Sequence, residues 1–153
     1  MPRVTPPAPG RDDEFFWSGV AAGRLLARRC AGCGTLQHPP SPMCPACGSV
    51  DWEITDLAGT GSVYSWIVSR HPTRPDDEPR VVALIELDEG IRMVSNLLGV
   101  DAAAITPGLR VQVSFPEIDG VTLPQFTPAP PATPAPTGPP PPATPAPAGE
   151  GGR

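Results

Sequence analysis

The apolar positions of this chain sort into two regimes. Residues 59–126 carry them in short runs rich in β-branched and aromatic types, separated by turn residues. Residues 62–69 form one such run. Residues 81–87 and 91–97 flank Asp88-Glu89-Gly90 and read as a hairpin. Residues 109–115 and 121–126 flank a segment with Asp119-Gly120, a second hairpin signal. Residues 102–105 read as a single helical turn. Five short strands with one helical interruption before the fourth predict a small, partly open Greek-key barrel of the OB type, with a β-sandwich as the alternative.

The region before the barrel is patterned differently. Residues 12–23 read as a short helix, with Asp12 or Asp13 as its cap, Glu14 at the positive end of its dipole and Gly23 as its stop. Phe16 with Val20, and Trp17 with Ala21, fall at i,i+4 spacing. Phe15, Phe16 and Trp17 are consecutive, so they spread around the helix and cannot all enter one small core. At least one of them is expected to dock on a partner protein, because clustered exposed aromatics mark interfaces. Residues 25–29 and 35–38 read as two short strands, Pro39, Pro40 and Pro42 hold the next stretch extended, and residues 52–55 read as a linking strand.

Two matched knuckles lie in this region: Cys30-Ala-Gly-Cys33-Gly and Cys44-Pro-Ala-Cys47-Gly, the only cysteines present. Two residues between ligands let a tight turn aim both sulfurs at one ion, and the glycine after each pair relieves crowding where amides face the sulfurs. The spacing predicts a closed, structural Zn2+ site of four thiolates. An iron tetrathiolate, two disulfides and a redox dithiol are the other readings of such cysteines. His38, between the pairs, is read as a polar residue of the second ribbon strand rather than as a replacement ligand.

Composition limits what can fold. Residues 127–153 are mostly Pro, Ala, Thr and Gly and hold 11 of the 25 prolines, without one aromatic residue. Such a stretch cannot bury enough surface to offset its ordering entropy. The expected organisation is a flexible N-terminus over 1–11, a docking helix over 12–24, a zinc ribbon over 25–56, an OB-fold barrel over 57–126 and a disordered Pro/Ala-rich tail over 127–153. No apolar run reaches the roughly 20 residues that span a bilayer, and the first residues do not read as a secretory signal. A cytoplasmic protein with no membrane association is expected. Every basic side chain is arginine, and the net charge is −5. An acidic balance argues against binding a phosphate backbone.

Chemistry outside the cysteines is sparse. The two histidines, His38 and His71, and the turn carboxylates give no nucleophile, base and oxyanion-donor set. Arg70, His71, Arg74 and Arg80 cluster around the loop after the first barrel strand. Arginine grips phosphates and carboxylates bidentately, so Arg70, Arg74 and Arg80 are candidates for contact with a phosphate-bearing ligand or an acidic partner patch, or else they balance Asp76, Asp77 and Glu78. Tyr64 and Trp66 lie two apart on one strand and are expected to share a face turned to the core. Gly59-Thr60-Gly61 imitates the start of a phosphate loop, but a strand follows it, so these glycines are read as letting that strand coil.

The chain resembles a known family, the zinc-ribbon (rubredoxin-like) OB-fold proteins long filed as a domain of unknown function. The resemblance rests on Phe16-Trp17 through Gly23-Arg24-Leu25, the two knuckles with Pro39-Pro40 between them, Gly59-Thr60-Gly61-Ser62-Val63-Tyr64-Ser65, residues 82–90 and Pro107-Gly108-Leu109-Arg110-Val111. It covers nearly all of residues 12–126. It implies a mainly β fold: an N-terminal helix, a rubredoxin-like zinc ribbon, then a five-stranded OB-fold barrel. Family members accompany thiolase-like and lipid-transfer-protein-type enzymes acting on acyl-CoA, and some are fused to hot-dog-fold hydratases. The implied role is a non-catalytic accessory subunit in a hetero-oligomer with such a thiolase or steroid side-chain aldolase, helping to bind or channel acyl-CoA, whose phosphates Arg70, Arg74 and Arg80 are then expected to contact. The rival readings are a single-stranded nucleic-acid binder and a small rubredoxin-like electron carrier.

Overall fold

The computed structural model describes residues 5–70 and 78–130. The chain opens with helix α1 (Glu14–Ala21). Asp13 precedes it, but its carboxylate does not cap the helix amides. It accepts instead from the Gly10 amide at 2.6 Å and from the Trp17 indole N–H at 3.1 Å. The helix stops with two back-bonds, Gly23 N–H to the Val20 carbonyl at 3.0 Å and Arg24 N–H to the Gly19 carbonyl at 2.8 Å. This is the Schellman arrangement, which satisfies the last carbonyls and turns the chain sharply. The turn sends it directly into the ribbon.

The ribbon is a three-stranded antiparallel sheet of β1 (Leu26–Cys30), β2 (Leu36–Gln37) and β3 (Trp52–Asp56), in the order β2-β1-β3. Strand β3 pairs with β1 along its whole length, from Leu26 opposite Asp56 to Cys30 opposite Trp52. Residues 52–55, expected as a linking strand within the 25–56 ribbon, are paired with β1 throughout. Arg24 and Asp56 close the far end of this pair through two hydrogen bonds of 2.9 and 2.6 Å.

The barrel is closed, with β4 (Thr60–Ser69), β5 (Arg80–Leu87), β6 (Arg92–Leu97), β7 (Arg110–Ser114) and β10 (Gln125–Pro128) in the order β10-β6-β5-β4-β7. Closure comes from β10, antiparallel to β7 and touching β6 in parallel register at Phe126 and Leu97. This is the five-stranded OB architecture, and closing the sheet removes the exposed edges that an open one would present. A 3-10 turn at Ala102–Ala104 precedes β7, with the Asp101 carboxylate accepting from the Ala103 amide at 2.9 Å.

Asp119-Gly120 does form a hairpin turn, but a smaller one than expected. It joins β8 (Glu117–Ile118) to β9 (Val121–Thr122), a two-stranded excursion before β10 begins. Strand β10 continues to Pro128, past the expected barrel end at 126, and the Ala129 amide still donates to the Arg110 carbonyl. The tail beyond residue 130 lies outside the described residues.

Alternation fills the barrel. Val81, Ala83, Ile85 and Leu87 of β5 point inward, joined by Val63, Met93, Leu97, Val111 and Phe126. Each large side chain so buried contributes about 1.5–3 kcal/mol. Gly61 lies where β4 crosses β5, and a Cβ there would collide with the Glu86 carbonyl oxygen. The missing side chain lets the two strands approach, as the glycine-rich start of β4 suggested.

Strand β4 also carries a bulge. Its register shifts between Val63, opposite Ile85, and Ser65, opposite Leu84. The extra residue is Tyr64, and it reverses the side-chain parity of the strand. Trp66 consequently packs against the core, while Tyr64 lies outside, 49% exposed, under the Arg92 guanidinium at 3.7 Å. The expectation that both face the core on one side of the strand fails at this single inserted residue.

Candidate metal centre

Each knuckle is a turn built by its own backbone. The Gly34 amide donates to the Cys30 carbonyl at 2.8 Å and the Gly48 amide to the Cys44 carbonyl at 2.9 Å. Both glycines have φ of 76°, the left-handed conformation that lets the chain fold back over its cysteines. The Cys30 amide then donates to the Thr35 carbonyl and the Cys44 amide to the Ser49 carbonyl. The second knuckle is thus a near repeat of the first.

The turns bring all four sulfurs within 4.8 Å of one another. Cys30 Sγ is 3.5 Å from Cys47 Sγ, and Cys33 Sγ is 3.6 Å from Cys44 Sγ. A zinc tetrahedron with 2.3 Å bonds has edges of about 3.8 Å, so the set fits one ion with little adjustment. Backbone amides also point at the sulfurs: those of Cys33 and Gly32 at Cys30, that of Thr35 at Cys33, and that of Ser49 at Cys47. N–H donors arranged this way suit a centre with net negative charge. Cys30 and Cys44 are buried, and Cys33 and Cys47 form the exposed side.

The environment separates the two exposed thiols. The Thr35 hydroxyl, seconded by the Thr35 amide, holds Cys33 down at about 6. The Ser49 amide also lowers Cys47, but the adjoining Cys30 and Cys33 sulfurs push it up to about 12. A bound metal makes all four ligands thiolates. With four thiolates present there is no open position for substrate, so the site is of the structural kind.

His38 is not part of this centre. It lies against the Phe16 ring at 5.2 Å between centroids, and burial lowers its pKa. The three consecutive aromatics are distributed as well. Phe16 enters the core, and its ring meets Trp17 edge-on at 5.1 Å. Phe15 lies under the Arg28 guanidinium at 5.2 Å. Trp17 is half-buried and lines a groove of about 330 Å³ with His38, Val82, Val94 and Pro124. Arg28 carries no motif in the sequence, yet it joins helix to ribbon. It bridges the Phe15 and Trp52 rings, bonds Asp12 at 3.3 Å and donates to the Ser41 carbonyl at 3.1 Å. Nothing in its local context signals this, because its partners come from three separate segments.

Arg70 and Arg80 both lie at one end of the barrel. Arg80 lines a groove of about 350 Å³ with Leu97, Leu98 and Val100. Arg70 lines the adjoining one, and Pro79, Val81 and Val100 form the wall that the two share. Arg74 and His71 lie outside the described residues.

Fold and site together define a class, a rubredoxin-like zinc ribbon carrying an OB-fold barrel. Residues 17–53 match the ChsH2 rubredoxin-like zinc ribbon domain, and residues 55–116 match the ChsH2 C-terminal OB-fold domain. The chain belongs to the DUF35 family, and its metal is Zn2+. Among solved structures it is similar to the Ltp2-ChsH2(DUF35) aldolase, with a TM-score of 0.73 and 48% identity over 80% of this chain and 98% of that one. It is 34% identical to a DUF35 domain-containing scaffold protein of Methanocaldococcus jannaschii, over 61% of this chain and 69% of the relative. It is also 50% identical to a probable enoyl-CoA hydratase alpha subunit of Thermomonospora curvata, over 82% of this chain. The match spans only 40% of that relative's length.

Proposed function

We propose that this chain is a non-catalytic accessory subunit of a thiolase-superfamily enzyme of the thiolase or steroid side-chain aldolase type, and that it works in the cytoplasm. The observation that carries this reading is the likeness to the DUF35 chain of an aldolase, which extends over 98% of that chain. A closed four-thiolate centre supports it too, since such a site holds a fold together and leaves no coordination position for a reaction. Among the described residues no helix is long and apolar enough to cross a membrane.

The partner rests on α1 and the outer barrel face in this reading. Phe16 is buried and Phe15 lies under Arg28, whereas half-buried Trp17 lines an open groove, so Trp17 is the aromatic that meets the partner. Its groove continues to Val94, which is 66% exposed and lies on the same barrel face as exposed Ile67. Arg70 and Arg80 at the barrel end contact the phosphates of acyl-CoA, with Arg74 as the third cation, and the apolar groove walls accept less polar parts of the ligand.

Affinity capture of the tagged protein from its native lysate at moderate salt tests the first part. A thiolase-like enzyme in defined stoichiometry is expected, and nuclease-sensitive material in its place would overturn it. Arg70→Ala with Arg80→Ala tests the second part, since acyl-CoA affinity of the assembled complex then drops. Unchanged affinity removes the arginines from the proposal while leaving the accessory role intact.

A further inference from the structure

The two knuckles repeat one another down to a single hydroxyl. Thr35 and Ser49 occupy equivalent places, two residues after Cys33 and Cys47, and each sends its amide to that sulfur. Their hydroxyls differ. Thr35 Oγ1 is 3.2 Å from Cys33 Sγ. Ser49 Oγ instead accepts from the Asp51 amide at 3.1 Å. A metal-bound sulfur carries no proton, so in the loaded centre the Thr35 hydroxyl is the donor.

We propose that this hydroxyl shields the Cys33 thiolate and leaves Cys47 as the ligand that soft electrophiles modify first. Cys30 and Cys44 are each 1% exposed, so any attack begins on Cys33 or Cys47. Both of these are thiolates when metal is bound, and both have one amide donor. The added O–H···S bond lowers the energy of the sulfur lone pair at Cys33, and it must be given up as alkylation neutralises that sulfur. A hydrogen bond to a charged group is worth about a factor of ten in rate if it is lost at the transition state. With iodoacetamide the Cys47 lone pair forms the new C–S bond as the C–I bond breaks, and iodide leaves. The sulfur then donates weakly, and the metal centre opens from the Cys47 side. Thr35 thus acts through Cys33, as a positioning residue.

The test uses the full zinc-loaded chain, a limiting amount of iodoacetamide and peptide mapping by mass spectrometry. Cys47 is expected to be labelled about tenfold faster than Cys33. Thr35→Val should raise Cys33 to the rate of Cys47, Thr35→Ser should restore the preference, and Ser49→Ala should leave the order unchanged. In cobalt-loaded protein, Thr35→Val should also move the thiolate-to-metal charge-transfer band to lower energy. Equal labelling in the unmodified chain overturns the proposal whatever the variants do. So does a Thr35→Val protein that keeps its zinc and its wild-type preference.

Discussion

The ribbon and the barrel solve the same problem, holding short strands together, with different means. In the barrel, β5 alone turns four apolar side chains inward, and Val63, Met93, Leu97, Val111 and Phe126 complete a continuous core. In the ribbon, neither β2 nor β3 buries a single side chain fully. Its fixed points are the four sulfurs and the Arg28 bridge. Hydrophobic burial needs enough chain to enclose a volume, and about thirty ribbon residues cannot do so. A metal ion replaces the missing core with a few strong bonds.

Metal removal should break this comparison most completely. Chelation, or Cys30→Ser with Cys44→Ser, is expected to abolish amide-exchange protection in β1, β2 and β3 while β4–β7 stay protected. If both regions lost protection together, the barrel would have no independent stability. The reverse experiment is Phe126→Ala. Phe126 is fully buried where β10 closes the barrel, so its truncation should cost about 3–5 kcal/mol in denaturant unfolding. Bound zinc should remain stoichiometric through the barrel transition; zinc released as the barrel melts would show that the two regions are coupled.

Arg28→Ala probes the seam between helix and ribbon. Losing two ring contacts and its bonds to Asp12 and Ser41 should cost about 1–3 kcal/mol and expose α1 to limited proteolysis. An unchanged cleavage pattern would mean that Phe16 and Val20 hold the helix without it.

His38 supplies a smaller, pH-dependent effect. Burial lowers its pKa below the ordinary 6.5. Between those two values the unfolded chain binds a proton that the folded chain excludes, so stability rises with pH there. It is full above pH 6.5 and declines as pH falls toward the folded value. His38→Gln should flatten the slope of melting temperature over that interval, and an identical slope in both proteins would remove His38 as its source. Arg24→Ala, at an exposed pair, should change the melt least of all.

Much of this was legible in the residues because it depends on local geometry. C-x-x-C followed by glycine makes a knuckle wherever it occurs, since the turn uses only its own backbone bonds. The apolar runs of β5 and β6 and the turn between them were readable for the same reason, as was the 3-10 turn before β7. The centre's four ligands followed from spacing alone. Thr35 and Arg28 did not, because their roles depend on where a hydroxyl or a guanidinium points after folding.

The sequence by itself determined the metal centre, the order of helix, ribbon and barrel, and which runs become strands. Only the tertiary structure decided which neighbours those elements take. It paired residues 52–56 with β1, set β8 and β9 apart from β10, and divided Phe15, Phe16 and Trp17 among three surroundings. It also separated Tyr64 from Trp66, because one bulged residue exchanges the two faces of a strand. Periodicity records which side of an element is apolar. It does not record an inserted residue or a partner dozens of positions away, and those are set by how β4 bends to close the barrel and by what the helix meets when it turns at Gly23.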